Sequence, residues 1–257
     1  MLERISIELT NRCGKGCRFC YNKSHAAGPT MWTVDEIVTF ASDCSRNGVQ
    51  AVPLGGGEPL EFDGIFALLS ALDGVIFRSM TTNGLMLEGE TVKRLVTVRP
   101  DKVHISIHSP HSRSEVERVI RQVRMLGALN IRGGINLLIA RSKLGAARAA
   151  AATIRAAGIG TDQIVYLPMR GRDTPSPAEV AGVAAREPFQ SMSCLAACAA
   201  SPRFCSIAWD RSVAWCSYTS SRRMLAELSF RGLREALCGL PLTFCGASDP
   251  ETTRNGA

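Results

Sequence analysis

An α/β fold on a parallel sheet is predicted for this chain by three observations. Hydrophobic periodicity switches between two and about 3.6 six times in the first two-thirds of the sequence, so strand and helix alternate. Glycine, asparagine or proline marks most of the breaks between segments. With 257 residues, 46% apolar and 21% charged, the chain can bury a real core and is not disordered.

Arg4 to Leu9 alternates apolar with polar and reads as the first strand. Thr33 caps a helix over Val34 to Arg46, with Glu36 completing a capping box and Asn47-Gly48 ending it. Val49 to Leu54 is the second strand, and Gly55-Gly56-Gly57-Glu58-Pro59 is loop. A helix over Ile65 to Leu72 and a strand over Val75 to Met80 follow. Thr81-Thr82-Asn83-Gly84 breaks that strand, and Glu88 to Val98 is helical up to Pro100. Val103 to Ile107, Ile131 to Ile139 and Gln163 to Leu167 read as strands, separated by helices over Ser114 to Leu126 and Lys143 to Ala157. Six such repeats make a parallel sheet with helices outside it. Curled, this is a partial TIM-like barrel; flat, it is a doubly wound sheet, and segment pattern does not choose.

The pattern changes at Pro168. Prolines cluster up to Pro188 and periodicity fades, so 170–192 reads as a linker between a domain over 1–169 and a Cys-rich cap over 193–257. The cap holds six of the ten cysteines in a loop-rich stretch of short strands. No apolar run spans a bilayer and the N-terminus lacks signal-peptide character, so a soluble, cytoplasmic protein with reduced thiols is expected. Such thiols point to metal or cluster ligation. The net charge of +7 suits an anionic substrate or nucleic acid. It is nearly all Arg in an Ala-rich chain, though, as a GC-rich genome also produces. No basic stripe is interleaved with aromatics, which argues against nucleic acid.

Cys13, Cys17 and Cys20 stand as C-x3-C-x2-C directly after the first strand. The C-terminal edge of such a sheet is where α/β active sites lie. Three thiolates on a short loop wrap one face of a [4Fe–4S] cube and leave one iron open; a zinc loop borrowing a fourth ligand is the rival.

With Phe19 just before the third cysteine, this motif resembles the signature of the radical S-adenosylmethionine (SAM) superfamily. The resemblance implies that SAM chelates the open iron and is cleaved to a 5′-deoxyadenosyl radical, which takes hydrogen from a substrate. Gly56-Gly57-Glu58-Pro59 looks like the family's GGEP motif, with Gly for close backbone approach to the ligand and Glu58 for the methionine ammonium. Thr82-Asn83-Gly84 looks like its TNG segment. Ser106 matches the Ser of its S-x-D-G pattern, with His108 where the Asp belongs. His108 is the catalytic candidate, at a position where it titrates near neutrality. Arg118 is matched to the SAM carboxylate, and Asn136, polar within an apolar strand, to a further SAM contact. The resemblance covers residues 4–169 and implies a partial (β/α)6 barrel.

In the tail, a hairpin turning at Asp210-Arg211 would place Cys205 opposite Cys216. The stretch resembles the SPASM and Twitch caps of radical SAM maturases, with Arg211 where their hairpin has Gly. That resemblance implies one auxiliary [4Fe–4S] cluster, with Cys198 and Cys216 at the cap's cysteine positions and Cys245 completing it. The hairpin pairing adds Cys205, Cys194 stands in reserve, and a zinc knuckle is the alternative. Cys44 reads as a core residue. The family implies a flavodoxin- or ferredoxin-type electron donor and a peptide or small-molecule substrate (sugar, aminocyclitol or nucleotide). No added N-terminal peptide-binding domain is seen, which disfavours a leader-peptide maturase. A non-catalytic scaffold and an RNA-modifying enzyme are the alternative functions. Arg170 and Arg172 are candidates for binding a carboxylate or phosphate.

Overall fold

The structure, a computed structural model, describes residues 1–187, 190–191 and 203–242. Cys194, Cys198 and Cys245 lie outside the described residues.

β1 (Arg4–Thr10) sets the pattern for the sheet. Ile5, Ile7 and Leu9 enter a core shared with Ile37, Phe40, Ala41 and Cys44 of α1 (Val34–Arg46). The alternate residues Ser6, Glu8 and Thr10 lie on the other face, as the period of two requires. Thr33 caps α1 through a capping box with Glu36. The following elements are β2 (Ala51–Gly56), α2 (Ile65–Ala71), β3 (Phe77–Thr82), α3 (Gly89–Val98), β4 (Lys102–Ile107), α4 (Arg113–Ala128), β5 (Gly133–Ile139), α5 (Leu144–Ala156) and β6 (Ile164–Pro168).

β1 to β6 stand side by side in chain order, every pair parallel. This order chooses between the two architectures. Right-handed crossovers between sequential strands keep all connecting helices on one face, whereas a doubly wound sheet reverses its order at a switch point. The helices accordingly pack as neighbours, α1 on α2, α2 on α3, α4 on α5. Among the described residues the sheet is open at both ends, so it is a partial barrel with a polar concave face.

Four sequence expectations need correction. β2 and β3 start two residues late and run through Gly56 and Thr82, because Thr10 pairs with Gly56 and Thr82 with Ile105. The stretch after Pro168 contains α6 (Pro177–Val183), started by a Ser176 capping box with Glu179 and Pro at its first turn. That Ser-Pro-x-Glu signal was visible in the sequence. β7 (Gln190–Ser191) then pairs with β6.

The third correction concerns the hairpin of β8 (Phe204–Ile207) and β9 (Ser212–Ala214). Its register joins Ser206 to Ala214 and Ile207 to Val213, so Cys205 comes opposite Trp215 and not Cys216. The turn is one residue longer than expected. Ala208 N donates to Ser212 O, and Arg211, at φ 66°, takes the left-handed position that ends a three-residue loop. Finally, α7 (Phe230–Leu237), capped by Ser229, follows β10 (Arg223–Met224).

The hairpin does not stand apart from the barrel. β8 pairs in parallel with β1, Cys205 beside Ile5, so the sheet runs on past β1 through β8, β9 and β10. Trp32 Nε1 donates to Ala208 O at 3.1 Å, and the Arg211 guanidinium meets the Glu36 carboxylate at 2.7 Å. Phe230 N donates to Asp43 Oδ2 at 2.7 Å, tying α7 to α1. Among the described residues no helix is long and apolar enough to cross a membrane.

Candidate active site

The C-terminal strand ends surround a cavity of about 540 Å³, within the size range of small-molecule sites. Ser6 of β1, Thr81 and Thr82 of β3, Ser106 of β4 and Asn136 of β5 line it, together with Cys13, Cys17 and Cys20. The cysteine loop is held from both sides. Cys13 N donates to His25 O at 3.0 Å, Gly14 N to Glu61 Oε1 at 2.8 Å, and Lys15 Nζ meets Glu115 of α4 at 2.7 Å. Burial works against the Glu115 carboxylate, but Lys15 and the His108 N–H together hold its carboxyl below the usual range. Burial also raises the Cys13 and Cys17 thiols.

Gly56 and Gly57 line the cavity, and both also lie close against the chain from Glu8 to Arg12. A Cβ on Gly57 would stand 2.1 Å from Arg12 O, and one on Gly56 (φ 106°) 2.8 Å from Thr10 O. Gly57 N and Glu58 N donate to Thr10 O and Arg12 O at 2.6 and 2.8 Å. The glycines therefore dock the second loop on the root of the cysteine loop.

Glu58 is 1% exposed and already well bonded. Its carboxylate accepts from Thr82 Oγ1 at 2.7 Å, Asn83 N at 2.8 Å and Leu60 N at 3.2 Å. Burial raises its carboxyl, and these three bonds oppose the rise. Of about four acceptor positions on a carboxylate, one remains for a ligand. Asn83 closes the frame: its Nδ2 lies 3.8 Å from Cys13 Sγ and its Oδ1 accepts from Leu85 N at 2.8 Å.

Asn136 Oδ1 pairs with His104 Nδ1 at 2.7 Å, an interaction that sequence reasoning missed. His104 faces the interior two residues before Ser106, and burial lowers it to about 4. A neutral imidazole then donates from Nδ1, which leaves the Asn136 amide nitrogen for the cavity. Glu8, read only as a polar position of the first strand, is 2% exposed and pushed up to about 7, chiefly by burial. Tyr21 donates its hydroxyl to it at 3.3 Å, and the Tyr21 ring stands 4.8 Å from that of Tyr218, which reaches the cavity from beyond the hairpin.

Three candidates change standing. Arg118 does not line the cavity; its guanidinium donates to Gln122 Oε1 at 2.8 Å and Asn83 O at 3.2 Å, so it braces the third loop. His108 does line it, beside the Phe19 ring at 5.9 Å, but burial, with Lys15 adding to it, holds it at about 4, so it is neutral near pH 7. Cys205 is fully buried on the helix-facing side of β8, near Cys44. A cluster ligand there would displace the core. Cys216 is half-buried, and Cys238 exposed.

The donor set fits an iron–sulfur group and SAM. Among the described residues no three His, Cys, Asp or Glu side chains are gathered closely enough for a single ion. The three thiols instead share the wall of one larger cavity. In the same wall the buried Ser24 Oγ has no hydrogen-bond partner among the described residues, which suits a polar ligand there.

Comparison with known proteins agrees. The family described as the Radical SAM superfamily matches residues 7–174. A probable GTP 3′,8-cyclase of Methanocella arvoryzae is 34% identical over 111 residues, 42% of this chain and 35% of that protein. This chain thus matches about a third of that relative's length. Streptococcus suis SuiB bound to S-adenosylmethionine superposes with a TM-score of 0.70 at 15% identity, over 87% of this chain and 63% of that one. The anSMEcpe structure with bound AdoMet gives 0.64 at 11% identity, over 91% and 78%. At such identities these two show the fold. The matched span, with the cysteine loop at the end of its first strand, settles the family: the chain belongs to the radical SAM superfamily, whose enzymes work with a [4Fe–4S] cluster and SAM.

Proposed function

We propose that this protein is a radical SAM enzyme acting on a small molecule, with Cys13, Cys17 and Cys20 as the cluster ligands. The observation that carries the reading is the convergence of these thiols with Glu58, Asn83, Ser106 and Asn136 on one cavity. When bound, the cluster and SAM supply a 5′-deoxyadenosyl radical that takes hydrogen from the substrate. Glu58 and Asn83 hold the second and third loops against the cysteine loop and keep one carboxylate position for the SAM ammonium. Ser106 and the Asn136 amide offer hydrogen bonds deeper in the barrel. Phe19 and Tyr21 wall the cavity on the cysteine side.

Nucleotides are the substrate class that the sequence relatives' name supports; the shared part is under half of this chain, so the reaction itself is not carried over. A low-potential flavodoxin- or ferredoxin-type protein is the proposed electron source. For the cap we propose an auxiliary cluster that uses Cys216 with Cys194, Cys198 and Cys245, because the core position of Cys205 removes it from the set. The test is anaerobic reconstitution followed by iron, sulfide and 5′-deoxyadenosine assays. About eight irons per chain and reductive SAM cleavage are expected; four irons with one zinc would refute the auxiliary cluster, and no 5′-deoxyadenosine the whole reading.

A further inference from the structure

A second cavity, of about 360 Å³, adjoins the first and shares Phe19, His108, Leu138, Met169 and Arg170 with it. Its own wall is cationic: Lys143 lies at the start of α5 and Arg172 just beyond β6. Arg170, between the two cavities, lies with its guanidinium 5.3 Å from the centre of the Tyr218 ring. Among the described residues one carboxylate, Asp173, lines this cavity, and its oxygens accept from Ser142 N and Ser142 Oγ, both at 2.7 Å. α5 begins at the same wall with no side-chain cap, so the positive end of its dipole adds to the three cations. The His108 Nδ1 is buried there without a hydrogen-bond partner among the described residues. Cations in such excess, at the edge of a cavity already assigned to SAM, suit strongly anionic oxygens on a molecule lying across both.

Resting on the reading of the first cavity as the SAM site, we infer that the second cavity is a substrate subsite for a phosphate group. Lys143, Arg170 and Arg172 hold the phosphate oxygens, and the rest of the substrate passes between Phe19 and His108 to the reacting end. The site accepts phosphate from a nucleotide or from a sugar phosphate.

The test is titration calorimetry on the anaerobically reconstituted full chain, with inorganic triphosphate, glucose 6-phosphate and succinate as probes and SAM titrated in parallel. At least one phosphate compound should bind once per chain and more tightly than succinate. Preference for triphosphate indicates a nucleotide, preference for glucose 6-phosphate a sugar phosphate. The double variant Lys143→Gln/Arg172→Gln changes exposed side chains, so it should fold and should bind the phosphate about tenfold or more weakly. No phosphate binding, succinate binding as tight, or affinity unmoved in the double variant would each overturn the subsite. If phosphate binds and SAM does not, the reading of the first cavity fails and the subsite stands.

Discussion

Two regions of this molecule carry several cysteines each, and the fold treats Cys205 of the second in the opposite way to the three of the first. Cys13, Cys17 and Cys20 sit on a loop at a strand end, half-buried around a cavity. Cys205 sits inside a strand and is lost to the core. The first loop is braced by Glu61, Glu115 and Asn83 from three other segments, so its side chains are presented to a ligand. The hairpin's exposure pattern follows from its pairing with β1, which turns Cys205 to the helices along with Ile5. A thiol's chemistry here depends on the face it is given as much as on its spacing.

The sharpest way to break this contrast is to remove thiols from each region. Changing Cys13, Cys17 and Cys20 to Ala should abolish 5′-deoxyadenosine formation and remove about four irons per chain. Cys205→Ser should leave iron content unchanged and cost about 1–3 kcal/mol of stability, as an unpaired hydroxyl enters the core. Iron lost from the Cys205 variant, measured colorimetrically, would return that residue to the ligand set.

The brace on the first loop can be loosened without touching a thiol. Glu58→Gln puts an amide where the carboxylate accepts from Thr82, Asn83 and Leu60. SAM affinity should fall about tenfold or more, while the cluster spectrum persists. Unaltered affinity in a SAM titration would mean that neither the ammonium nor the loop frame depends on the charge.

Glu8 separates the regions by pH. Its folded pKa is raised to about 7 from 4.5, so the fold favours the protonated form. Stability from this group is complete below about pH 4.5 and is lost as pH rises through 7, a change of roughly 3 kcal/mol. Thermal melts of apoprotein should show Glu8→Gln gaining on the wild type between pH 5 and 8. Parallel melting curves across that range would place Glu8 in a wetter setting.

The smallest effect is expected at the hairpin turn. Arg211→Gly relieves a left-handed residue, worth about 1 kcal/mol, and loses an ion pair with the 31%-exposed Glu36 side chain, worth up to about 1 kcal/mol. The variant also loses the Arg211 Nε bond to Met31 O at 3.1 Å and the guanidinium over the Trp32 ring. A small net loss, read as a Tm lower by a few degrees, is therefore expected. A Tm that rises would show that the left-handed strain is larger than about 1 kcal/mol.

The residues named on the loops were legible because each motif is local. C-x3-C-x2-C, Gly-Gly-Glu-Pro and Thr-Asn-Gly each lie within one turn of chain, and a strand end carries them to the cavity as a unit. Arg118 stays off the cavity wall because the Asn83 carbonyl and Gln122 hold its guanidinium, a direction that its helix position by itself leaves open. His104 and Glu8 were passed over because an alternating strand shows which residues share a face and not whether that face is wet. Curling of the sheet makes the face concave, and burial then moves both groups far from their ordinary pKa values.

The sequence by itself determined the strand–helix alternation, the helix cap at Thr33, the thiol loop and the family it belongs to, since these depend on contacts within a few residues. Tertiary structure alone decided that the sheet curls, that Cys205 faces the core and that a cationic cavity adjoins the thiol-lined one. The physical reason is range. Strand order, hairpin register and the meeting of Lys143 with Arg172 join segments far apart in the chain, and one residue more in a turn is enough to send a side chain to the opposite face.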